Sequence, residues 1–135
     1  MDGIVTVAIG IDVTFTHTVD GGRREPLLGG FAAGKRFTYR PNWGFPGWRE
    51  GDQTAAPVLG FSREHIHPGD VVRAVIVPPV IDQLEAWTEL AAGAELRLYE
   101  GPHERGRGTV LWVSPSRWPM PAADQTRFAQ WLAKE

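Results

Sequence analysis

The run Val71-Val72-Arg73-Ala74-Val75-Ile76-Val77 stands between His67-Pro68-Gly69-Asp70 and Pro78-Pro79. No other stretch restricts the fold as much. β-Branched side chains at most of its positions favour an extended backbone. A Pro-Gly-Asp turn starts the run, and two prolines, which cannot donate to a sheet ladder, end it. The stretch reads as a strand, and a strand needs partners.

Short apolar runs cut by turn residues recur along the chain, which holds 16 glycines and 11 prolines in 135 residues. That usage predicts many turns and short strands rather than a helical bundle. In residues 5–18, Val13, Phe15 and His17 alternate with Thr14, Thr16 and Thr18. This is the period of a strand with one buried face. Residues 36–39, 58–61 and 95–99 read as further strands, with 109–113 the hairpin partner of the last across a turn at 101–108. Residues 42–57 shift to glycine, proline, tryptophan and charge and read as a long irregular surface loop. Residues 81–92 fit either a helix, through Ile81, Leu84 and Thr88, or a strand edge and loop. In the tail, Pro121 suits a first helical position, and Phe128, Trp131 and Leu132 share one face of a helix over 122–134. The length suits a single domain, 1–135, with its β part over 5–113 and the helix packed on it.

Composition limits the chemistry. There is no cysteine, which excludes disulfides, thiolate metal sites and a cysteine nucleophile. The net charge of -2 argues against a surface that binds nucleic acid by charge over its whole extent, although a local basic patch remains open. The start, Met1-Asp2-Gly3-Ile4, has an acid where a signal peptide carries positive charge, and the apolar run behind it is broken by Thr6 and Gly10. A cytoplasmic protein with no membrane partner is the expectation.

Three motifs occur in a fixed order. Asp20-Gly21-Gly22-Arg23 follows the first strand, with Pro26 behind it; Pro68-Gly69-Asp70 leads the valine-rich strand; and Leu96-Arg97-Leu98-Tyr99-Glu100-Gly101 precedes Gly106-Arg107-Gly108-Thr109-Val110. In this order the chain resembles the C-terminal β-barrel of translation elongation factor Tu over roughly residues 10–113. The resemblance implies an all-β fold, a six-stranded antiparallel barrel, here with a C-terminal α-helix. In the family, an aromatic-Arg-Pro-Gln-aromatic segment after the first turn contributes to the surface that meets the T stem of aminoacyl-tRNA. The nearest match is Tyr39-Arg40-Pro41-Asn42-Trp43, displaced by several residues, while another alignment places Phe31-Ala32-Ala33 there. No Gly-x-x-x-x-Gly-Lys-Ser/Thr phosphate loop occurs, so no nucleotide is expected to bind.

The candidate contact residues concentrate in one segment. Arg40, Trp43, Phe45, Trp48 and Arg49 stand within ten glycine- and proline-rich residues, with Arg36 just before them. Aromatic faces beside guanidinium groups stack on bases or fill a partner's pocket. The same rings turned inward make a satellite core under a loop. Arg23, Arg24, Lys35, Arg36 and Arg40 form a basic stretch that suits phosphate, an acidic protein or a solvated strand edge. His65 and His67, beside Glu64, face one side of a strand as two zinc ligands would, but no third ligand has a signature spacing. Ser62, Ser114 and Ser116 lie in no nucleophile elbow, Glu100 belongs to the hairpin motif, and Glu85 and Glu89 have the spacing of a solvated helix face. No catalytic residue, metal or cofactor is expected. The reading is a non-catalytic binding module that meets a protein or RNA partner through the aromatic and basic loop. The alternative is a small enzyme with a pocket near His65 and His67.

Overall fold

The computed structural model describes residues 4–31, 39–78 and 84–134. Its main sheet contains β1 (Ile4–Phe15), β3 (Asn42–Gly44), β4 (Thr54–Ala55), β5 (Val58–Phe61), β7 (Val71–Ile76), β8 (Glu95–Glu100) and β9 (His103–Trp118). Their order is β4-β3-β8-β9-β1-β7-β5, with every pairing antiparallel. A separate pair joins β2 (Leu27–Leu28) to β6 (His65–Ile66). A 3-10 turn at Thr18–Asp20 and helices α1 (Leu84–Thr88) and α2 (Ala122–Ala133) complete the described elements.

The edge strands β4 and β5 are separated in the chain only by Ala56 and Pro57. The sheet therefore curls until its two edges approach each other. Among the described residues two isolated bridges reach β5, Phe31 with Gly60 and Tyr39 with Val58, and Val58 N donates to Tyr39 O at 2.7 Å. No ladder joins β4 to β5. A two-residue reversing turn needs positive φ at one or both of its residues, which alanine resists and proline cannot adopt, so β4 and β5 do not fold back on each other. The expectation of a closed six-stranded barrel is thus corrected to a seven-stranded sheet that is rolled but not closed.

The inner face of the roll carries the main core. Val7, Ile9, Ile11, Val13 and Phe15 point inward from β1 at alternate positions and meet Val72, Ala74 and Ile76 of β7 and Leu96 and Leu98 of β8. Trp87 of α1 is fully buried in this core, with the Phe45 ring set edge-on to it at 4.7 Å. The segment 81–92, open to two readings in sequence, is therefore helical over Leu84–Thr88, while Ile81 lies outside the described residues.

The outer face is covered as well. Ala8, Leu59, Val75 and Val77 form a second cluster with Met120 and with Phe128 and Leu132 of α2. Every residue from Thr6 to Ile11 is consequently buried, whereas the sequence predicted one buried face. The cause is α2, laid over the sheet. The β8–β9 hairpin also differs from expectation. Glu100 pairs with His103, so the turn is Gly101-Pro102 rather than residues 101–108, and β9 runs on to Trp118.

Candidate functional site

The loop that the sequence offers as a contact surface is largely internal. Trp43 lies on β3, where it pairs with Leu98 and Thr54, and has no exposed surface; its indole nitrogen donates to Ala56 O at 2.8 Å. Phe45 is buried, 4.7 Å from the ring of half-buried Trp48, which packs on the same core. These positions correct the surface assignment of Trp43 and Phe45. Both rings fill the interior because pairing of β3 with β8 turns them inward. Arg49 keeps 91% of its side chain exposed and pairs with Asp52 at 3.5 Å. Arg40 is exposed. Arg36 and Lys35 lie outside the described residues.

The basic stretch divides. Arg23 forms an ion pair with Glu100, which also accepts the Tyr39 hydroxyl. Arg105 Nε lies 3.5 Å from the other Glu100 oxygen, and Arg105 Nη1 donates to Gly21 O at 2.5 Å. Burial, reinforced by the Glu100 carboxylate, pushes the Tyr39 hydroxyl far above the ordinary phenol range, so it stays a donor. Two of the three sequence motifs thus meet at one carboxylate. Gly21, at φ +100°, supplies the backbone that other residues resist, and a Cβ on Gly22 would stand 1.8 Å from Thr16 O. The motif residues hold turns to each other.

His65 and His67 are both exposed. His67 N donates to Asp70 Oδ2 at 2.9 Å, closing the Pro-Gly-Asp turn. His67 shares an open cleft of about 420 Å³ with His17, Arg24 and Pro26. Among the described residues, no three histidine, aspartate or glutamate side chains gather closely enough to hold a metal ion.

The structure brings together a different group, on the outer face where α2 crosses β9. Trp112 stacks on Phe128 at 5.2 Å and 17°, and Trp131 meets Trp112 edge-on at 5.1 Å and 79°. Only Phe128 is buried; both indoles remain partly open. With Val113, Ser114 and Arg127 the three rings line a predominantly apolar slot of about 300 Å³. The Arg73 guanidinium lies 5.0 Å from the Trp131 ring centre, and that of Arg127 lies 4.8 Å from the Phe128 ring centre. Each cation rests against an aromatic face, an attraction worth about 0.5–1 kcal/mol at an exposed site. Arg127 is further fixed by Asp124 at 3.3 Å and Ser114 at 3.4 Å. The slot can accept a planar apolar group, with fixed donors at its margin.

A single glycine makes room for this arrangement. Gly10 pairs with Trp112 across β1 and β9, where the register shifts by one residue. A Cβ at Gly10 would stand 2.2 Å from Trp112 Cε2. Gly10→Ala is expected to displace the indole and destabilise the fold by about 1–3 kcal/mol, as overpacking does. Near-ultraviolet circular dichroism and thermal melting would show both changes; an unchanged spectrum and melting point would contradict the packing described.

No protein-family model matches the chain, and a search of curated proteins finds no match. The apolar helix face that includes Trp131 was legible in the sequence. Trp112 was not, because its place beside α2 depends on the register of β9 against β1.

Proposed function

We propose that this chain is a non-catalytic binding module built on a rolled sheet of the elongation factor Tu C-terminal-barrel type, and that it binds a protein through the aromatic slot between β9 and α2. The observation that supports this reading is the slot itself. Two partly open tryptophans and two arginines converge there, and these residue types dominate interface hot spots. The fold type rests on the order of the turn motifs and on the meeting of Arg23 with Glu100 across two of them. A protein partner suits the slot better than RNA. Its walls are predominantly apolar, the whole chain carries a net charge of -2, and RNA affinity draws chiefly on a run of cations against phosphate.

Capture from a cell lysate by the wild-type chain and by Trp131→Ala, with and without ribonuclease, tests the reading. The expected result is a set of proteins retained by the wild type despite ribonuclease and lost with Trp131→Ala. The variant should meanwhile melt within a few degrees of the wild type, because Trp131 is only partly buried. Capture that survives Trp131→Ala, or that disappears with ribonuclease, would overturn it.

A further inference from the structure

The slot does not end at Ser114. A second depression of about 270 Å³ lies along the same seam of β9 and α2, lined by Val5, Pro115, Ser116, Arg117, Pro121 and Asp124. Alternate β9 residues 112, 114 and 116 and α2 residues 124, 127 and 131 border the two hollows in turn. Four residues of strand span about 13 Å and seven of helix about 10 Å, so the seam matches roughly four residues of extended peptide. Val5, beside the second hollow, is 60% exposed.

The charges along this seam are unequal. Arg73, Arg117 and Arg127 are the cations, and among the described residues neither Arg73 nor Arg117 forms an ion pair. Asp124 is the acid of the seam, and both its oxygens are already engaged, by Ser116 and by Arg127. Asp12 stands across the ladder from Arg73 without an ion pair to it. Arg73, resting on Trp131, and Arg117 therefore carry positive charge along the groove that no acid among the described residues pairs.

We infer that the groove between β9 and α2 docks an acidic, extended peptide segment, with one planar apolar side chain in the aromatic slot and carboxylates toward Arg73 and Arg117. This rests on the proposed reading of the slot as a recognition site and adds the chemistry of the partner. Each exposed ion pair favours an acidic segment by about 1.4- to fivefold, so two of them favour it by about two- to thirtyfold over a neutral one.

Three capped pentapeptides test it, each with a central tryptophan flanked by glutamate, glutamine or lysine, together with a five-nucleotide uridylate. Binding is followed through the ring signals of Trp112 and Trp131 in nuclear magnetic resonance titrations of the full chain. The glutamate peptide is expected to bind about two- to thirtyfold tighter than the glutamine peptide, and the lysine peptide weakest. Arg117→Gln, outside the aromatic slot, should reduce the preference for glutamate about threefold and leave the glutamine peptide unchanged. Equal binding of the glutamate and glutamine peptides, or tighter binding of the lysine peptide or the uridylate, would overturn the inference while leaving a site in the slot. If no probe moves either ring, the inference and the reading of the slot both fall.

Discussion

A chain cut after Pro119 is expected to lose cooperative folding and to aggregate. Helix α2 with the two residues before it buries Met120, Phe128 and Leu132 against Ala8, Leu59, Val75 and Val77 on the outer face of the sheet. Full burial of such side chains is worth about 1.5–3 kcal/mol each, so three contribute on the order of 5–9 kcal/mol. That is of the size of a whole domain's net stability, about 5–15 kcal/mol. The truncation also uncovers the sheet surface beneath, and contiguous apolar surface of that kind drives association. Circular dichroism melting and binding of a hydrophobic dye measure the two effects. A truncated chain that keeps a sharp transition near the full-length melting point would show that α2 is an appendage and not half of a core.

The second large effect is expected at Trp43. It is fully buried on β3, and its indole N–H satisfies Ala56 O. Trp43→Ala removes a large ring and leaves a cavity, which costs about 3–5 kcal/mol, and it leaves Ala56 O without this donor. Arg49→Ala, only six residues away, should change stability by no more than about 0.5 kcal/mol, since that side chain is almost wholly exposed and its pair with Asp52 is a surface one. Urea unfolding of the two variants makes the contrast directly. A Trp43→Ala protein as stable as the wild type would return the ring to the surface and reopen the loop as a recognition element.

The contrast between these two residues also shows where the sequence was legible. Strands framed by proline or glycine were readable because local chemistry sets them: β5, β7 and β8 begin and end within about two residues of their expected limits. Helix α2 was readable from its spacing for the same reason. Strand β3 was not. Pro41, Gly44, Pro46 and Gly47 surround it with turn chemistry, and its extended form comes from pairing with β8 and from burial of Trp43. The true length of β9 was hidden by Pro115. That proline is tolerated because β8 pairs only with residues up to Thr109, so at Pro115 one side of β9 has no β8 partner to receive an N–H. The candidate site was least legible of all. Trp112, Arg73 and Trp131 come from three elements far apart in sequence, and only the placement of α2 over the sheet unites them.

Trp112 and Trp131 are partly open to solvent, whereas Trp43 and Trp87 are fully buried. Attenuation of the assigned tryptophan ring signals by a soluble nitroxide measures this in the free protein. The expected result is strong attenuation of Trp112 and Trp131, with Trp43 and Trp87 almost untouched. Attenuation of Trp43 with protection of Trp112 and Trp131 would contradict the account and move the recognition surface back to residues 40–49.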